Sequence, residues 1–265
     1  MKLYLCGIKS YQLDLGLECT AFTDPRLERT LQGIKRDHNQ PERNPRTPLT
    51  RSYLLLMINT LSDLNYDDVV IRGAFTLAFA AFLRVGEFTY RETDLKLGPT
   101  FRNWFLTKSS INWVEGGAHM ELTLPASKTD PFRHGIQLLI AASNDAGCPV
   151  AAMKRLAEIN GHRPRFAPLF CVGRENQHPF TREHVVQKLQ FLAIRNGLGL
   201  GTWNGHSFRR GAATWAAAVG IPEAQIQTLG RWKSEAYKRY VEYSTTERII
   251  LSQRFQCSTA PIEQL

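Results

Sequence analysis

The stretch from Asp67 to Leu83, DDVVIRGAFTLAFAAFL, constrains the fold more than any other part of the sequence. Read as a helix it is apolar on nearly every face, so it must run through a core and be wrapped by other elements. The pattern predicts that it continues up to Arg84. A chain of 265 residues, 43% of them hydrophobic, can supply that wrapping and still leave material for a smaller appendage.

The appendage is expected at the start. From Asp37 to Thr50 the chain reads DHNQPERNPRTPLT, with three prolines and almost no apolar residue, the composition of an exposed linker. Before it, residues 2 to about 15 can form one helix. In DPRLERTLQGIKR, Asp24 is placed to cap a second helix with Pro25 at its first position. Two helices are too few for a domain. They read as the end of a larger helical domain over 1–40, followed by a linker at 41–49, a main domain at 50–257 and a tail at 258–265.

In the main domain Thr50 can cap a helix through Leu61. Three short runs, FLTKSSINWV, HMELTLPAS and GIQLLIAA, are apolar or alternating and separated by the turn segments GGAH and KTDPFR, which predicts a small antiparallel sheet. Helices then follow. Pro149 opens one through Ile159, Thr181 caps one that Gly197 closes, and Ser207 begins one that Gly220 closes. Pro222 starts the next, ended by Gly230; Ser234 caps a short helix, and Ser244 with Glu247 forms a capping box for a last one. The fold class is α+β, mainly helical.

The formal net charge of +9 is spread along the chain, so a positive field belongs to the folded surface and favours a polyanion such as nucleic acid. Five scattered cysteines without a CxxC pair argue against a disulfide framework and a structural zinc site, and fit a reducing compartment. His119, His134, His162, His178 and His184 lack metal-ligand spacing. No stretch reaches the apolar length of a membrane span, and the start turns polar too soon for a secretory signal, so a soluble intracellular protein without a membrane partner is expected.

The segment HSFRRGAATWAAAVGIPEAQIQTLGRWKSEAYKRYVEYS, His206 to Ser244, resembles the signature of the tyrosine recombinases, the phage-integrase-like family. There an H-x-x-R motif precedes a G-H or G-W pair and then a nucleophilic tyrosine, which here are His206 and Arg209, Gly230 with Trp232, and Tyr240. FLRVGEFT resembles the family's first arginine motif, with Arg84 in the active site and Glu87 as a supporting carboxylate, and LPASKTDPF its hairpin lysine, Lys128. The wording GRWKSEAYKRY is most similar to the eukaryotic transposon branch that includes Crypton-type recombinases. The resemblance implies an integrase-like catalytic domain preceded by a remnant of a helical core-binding domain, acting on double-stranded DNA as a homo-oligomer, a tetramer. It also implies a nuclear location. Two departures stand out: the extra stretch KLGPTFRNWF between Arg84 and Lys128, and a spacing from Trp232 to Tyr240 one residue shorter than in many integrases, which leaves Tyr237 and Tyr243 as alternatives.

These residue types suit phosphodiester cleavage. Charge grows on the non-bridging oxygens in the transition state, where the guanidinium groups of Arg84 and Arg209 and donors from His206 and the Trp232 indole would meet it. A tyrosine hydroxyl needs that field and a base, for which His206 is the candidate; Lys128 would protonate the departing 5′ oxygen. The phosphotyrosine stores the bond energy, so no cofactor or metal is implied. Each residue also has an ordinary reading: Arg84 as a helix-end charge, Lys128 as a turn lysine, Trp232 and the tyrosines as packing residues. Their joint order favours a strand-transferase over two alternatives, a catalytically silent DNA-binding protein of the same fold and a type IB topoisomerase.

Overall fold

The computed structural model describes residues 2–37, residues 47–239 apart from 115, 128, 129, 131, 133, 174–177 and 200, and residue 249. The chain divides into two compact units, Met1–Pro45 and Arg46–Leu265.

In the first unit α1 spans Lys2–Asp14 and α2 spans Pro25–Asp37, with a single 3-10 turn at Thr20–Phe22 between them. Asp24 caps α2 as its sequence position predicts, accepting the Arg26 backbone N–H at 2.8 Å. None of the described residues of this unit is buried, since two helices cannot enclose a core.

The second unit is built around the apolar helix. Its helices are α3 (Arg51–Ile58), α4 (Tyr66–Ala80), α5 (Val85–Phe88), α6 (Pro149–Ile159), α7 (Arg182–Arg195), α8 (Ser207–Ala218) and α9 (Glu223–Leu229). Strands β1 (Ile111–Trp113), β2 (His119–Leu124) and β3 (Ile136–Ala141) form an antiparallel sheet in that order, with Ile111 opposite Leu122 and Met120 opposite Ile140. On β2 the alternate residues Met120, Leu122 and Leu124 face the core, the period of two expected of a half-buried strand. A two-stranded ribbon, β4 (Cys171–Val172) with β5 (His178–Pro179), completes the sheets.

Helix α4 is buried from Val69 to Ile71 and from Gly73 to Phe79. Helices α3, α6 and α8 pack on it, with Phe75 meeting Phe208 edge to face at 4.8 Å. Arg72, the one charge within that apolar run, turns its guanidinium out to the Leu61 carbonyl at 2.8 Å.

Several sequence expectations are corrected in detail. Residues 47–49 carry linker composition, yet they belong to the folded unit: Leu49 is fully buried and its N–H donates to the Ser207 carbonyl at 2.9 Å. Gly211 on α8 makes room for it, since a Cβ there would collide with the Leu49 backbone. Helix α3 stops at Ile58 and α4 at Ala80, short of Leu61 and Arg84. The extra stretch after Arg84 forms two short 3-10 turns across Glu92–Asn103, broken at Gly98, and the segment after Ser234 is a 3-10 turn at Glu235–Arg239. The helix expected after Ser244 lies outside the described residues, apart from Ile249.

Candidate active site

The site is organised by two helix ends. After α4, Phe82 N–H bonds the Phe79 carbonyl at 3.2 Å and Leu83 N–H bonds the Ala78 carbonyl at 2.9 Å. After α9, Arg231 N–H bonds Thr228 and Trp232 N–H bonds Gln227, both at 3.0 Å. Both are Schellman closures, whose left-handed position normally falls to glycine. Glycine does hold it after α7 (Gly197) and α8 (Gly220), but here it is taken by Phe82 (φ 50) and Arg231 (φ 57). A left-handed non-glycine residue costs about 1–2 kcal/mol.

The contacts made there offset that strain. The Phe82 carbonyl accepts from Arg209 at 2.8 Å and from Arg231 at 3.2 Å. The Phe82 ring meets Trp232 edge to face, with centroids 6.2 Å apart. Gly230 ends α9 as the sequence predicts, in an ordinary right-handed conformation (φ −82). It is glycine for a steric reason: the Trp232 ring lies so close over its Cα that a Cβ would fall inside the indole.

Arg84 follows, extended, as the N-cap of α5. Three residues on, Glu87 reaches back and accepts the Arg84 backbone N–H at 2.9 Å and its guanidinium at 2.8 Å, which fixes the arginine at the mouth of the site. Oε2 of this buried carboxylate, which takes the Arg84 backbone N–H, also accepts from Arg231 at 2.9 Å. Arg209, on the first turn of α8 and 5% exposed, donates to the Phe82 and Gly230 carbonyls and lies 4.2 Å above the Trp232 ring, a cation–π contact. His206, exposed, caps α8 with its backbone N–H held by the Asn204 side chain at 2.9 Å.

Arg84, His206, Arg209, Arg231, Trp232 and Lys233 line one cleft of about 480 Å³, together with Val85, Gly205, Ser234 and Ala236. Among the described residues, no acidic side chain lines it. Beside it, a second groove is lined by Arg231, Trp232 and Lys233 on one wall and by Asp130, Phe132, His134 and Gly135 of the β2–β3 hairpin on the other. The tip of that hairpin is held by Asp130, which accepts the backbone N–H groups of His134 (3.2 Å) and Gly135 (3.0 Å).

Among solved structures the chain is similar to XerH site-specific recombinase bound to palindromic difH substrate in a post-cleavage complex (TM-score 0.56, 12% identity, covering 79% of this chain and 52% of that one). It is similar also to XerA recombinase (0.53, 14%, covering 80% and 66%) and to a lambda integrase dimer bound to a COC′ core site (0.51, 16%, covering 98% and 82%). The fold is that of the tyrosine recombinase catalytic domain. No protein-family model and no curated protein matches the sequence. The chain spans half to two thirds of the length of the two Xer recombinases.

On this recombinase fold, five of the seven residues singled out in the sequence, Arg84, Glu87, His206, Arg209 and Trp232, come together at one cleft or directly support it. Lys128, Tyr240 and the alternative Tyr243 lie outside the described residues. Tyr237, the other alternative, is 4% exposed, donates its hydroxyl to Glu223 at 3.1 Å and packs on Trp232 with centroids 6.1 Å apart. Burial, with the Glu223 carboxylate beside it, pushes its pKa above the ordinary tyrosine value, which makes it harder to ionise. The residue that sequence reasoning passed over is Arg231. It stands inside the GRW motif, and its only signal was a basic residue between Gly230 and Trp232. Burial draws its pKa down from the ordinary arginine value, against the opposing charge of Glu87.

Proposed function

We propose that this chain is the catalytic part of a site-specific DNA recombinase or transposase, which cleaves and rejoins double-stranded DNA through a 3′-phosphotyrosine intermediate. The observation that supports it is a cleft walled by three guanidinium groups, with the HxxR pair and a tryptophan, on a recombinase fold. A cleft whose described lining carries cations and no acid suits a phosphodiester, and preorganised donors stabilise the charge that grows on its non-bridging oxygens.

In this mechanism the Tyr240 oxygen attacks phosphorus in line, its proton passing to His206. The bond from phosphorus to the 5′ oxygen breaks as Lys128 protonates that oxygen. Arg84 and Arg209 hold the non-bridging oxygens throughout. The 5′-hydroxyl of a second strand then attacks the phosphotyrosine, the steps run in reverse, and a diester is regenerated. One diester is exchanged for another, so the cycle needs no ATP and no metal.

The wording of the GRW segment supports a source in a mobile element of the Crypton type. Assembly on DNA as a tetramer fits exchange of the segment after Ser244, whose Ile249, Ile250, Leu251 and Phe255 are apolar. The test is incubation of the protein with a nicked duplex, which traps the covalent state because the short 5′ fragment diffuses away. An SDS-resistant protein–DNA adduct supports the reading. DNA binding without any adduct would make the chain a silent DNA-binding protein of this fold.

A further inference from the structure

We infer that Arg231 supplies a third guanidinium contact to the scissile phosphate, and that Trp232 serves as the platform that positions Arg209. This deepens the recombinase reading and rests on it.

Arg231 is one-tenth exposed. One terminal nitrogen is spent on Glu87 and the Phe82 carbonyl, while its Nε and its other terminal nitrogen are buried and have no hydrogen-bond partner among the described residues. Buried donors without acceptors are costly and rare, and they occur where a ligand supplies the acceptor. The charge balance points the same way. Arg84 and Arg231 share the one carboxylate of Glu87, which leaves an excess of positive charge between these two guanidinium groups at the cleft that both line. A phosphodiester gains a further negative charge as it becomes a phosphorane, so an unbalanced guanidinium favours the transition state over the ground state. The left-handed backbone at Arg231 is a third sign, since strain is retained where a side chain must be aimed.

Trp232 has other engagements. Its ring covers Gly230, carries the Arg209 guanidinium at 4.2 Å and packs against Phe82 and Tyr237. These contacts set where Arg209 lies.

Two measurements on the full chain test the assignment. In the first, wild type and Arg231→Lys are titrated with orthovanadate, an oxyanion that adopts five-coordinate geometry, with tryptophan fluorescence as the signal. Lysine keeps the charge toward Glu87 and removes the forked donors, so binding should weaken about tenfold or more. Equal affinity would overturn the assignment. In the second, Arg231→Ala and Arg231→Lys are compared on a nicked duplex with an ordinary scissile phosphate and on one with a methylphosphonate there. Loss of an oxyanion contact should slow adduct formation about 10²–10³-fold on the phosphate. On the methylphosphonate, which carries no charged non-bridging oxygen to hold, the defect should shrink to less than about tenfold. A defect equal on both substrates would make Arg231 only a support for Glu87. If wild type forms no adduct on either substrate yet vanadate binding still depends on Arg231, the recombinase reading fails while the anion contact stands.

Discussion

Arg231 and Phe82 end two different helices in the same left-handed conformation, and the guanidinium of the first donates to the carbonyl of the second at 3.2 Å. The two strained residues are thus joined, and each stands where glycine would relax the backbone but remove a contact. Glu87 ties the same pair of helix ends to Arg84. The site is held by two long-range hydrogen bonds of Arg231, to Phe82 after α4 and to Glu87 of α5, while Arg209 of α8 is held by the Phe82 and Gly230 carbonyls.

This arrangement makes Gly230 sensitive to a single methyl group. Gly230→Ala places a Cβ inside the Trp232 ring, which must then move off Arg209. Overpacking of this kind costs about 1–3 kcal/mol. The urea midpoint should fall accordingly, and adduct formation should drop by more than about tenfold through the displaced Arg209. A variant with wild-type stability and activity would show that the tryptophan does not position the arginine.

Much of the scaffold was legible in one dimension. Thr50, Thr181 and Pro149 mark helix starts, and each does so because its capping chemistry is local. The apolar run of α4 announced its own burial. What failed to show was non-local. Glu87 and Arg231 are 144 residues apart, so neither reveals the other. Phe82 takes a left-handed position that propensity assigns to glycine, because two arginines compete for its carbonyl. Leu49 is buried by a space that Gly211 leaves on a distant helix, which the composition of residues 41–49 cannot convey. Strands β4 and β5, two residues each, are too short to carry a period.

Stability should depend on pH through His184. The ring packs 5.7 Å from that of Phe180, and its Nε2 is buried without a hydrogen-bond partner among the described residues. Burial first, then the charge of Lys188, pull its pKa below the ordinary value of 6.5, against a weaker pull from Asp67. The unfolded chain therefore takes up the proton more readily than the folded one. Stability should fall as pH drops through 6.5 toward the depressed folded-state value. Thermal unfolding of wild type and His184→Gln at pH 7.5 and 5.5 checks this. The variant should lose less stability on acidification, and an equal loss would exclude His184 as the source.

Lys128 can be tested through its leaving group. Lys128→Ala should slow cleavage of an ordinary substrate and be largely rescued when the bridging 5′ oxygen is replaced by sulfur, because a thiolate leaves without a proton. The comparison needs only adduct rates on the two duplexes. Equal defects would remove Lys128 from the general-acid role.

The most direct measurement concerns the nucleophile. Tyr237 is committed to Glu223 and the Trp232 ring, so Tyr237→Phe should lose only that hydrogen bond, about 1 kcal/mol of stability, and still form the adduct. Tyr243→Phe should also retain it. Tyr240→Phe should fold, bind duplex DNA and form none, and peptide mapping of the trapped wild-type complex should find the phosphate on Tyr240. A phosphate mapped to Tyr237 or Tyr243, or an adduct that survives in Tyr240→Phe, would contradict the account.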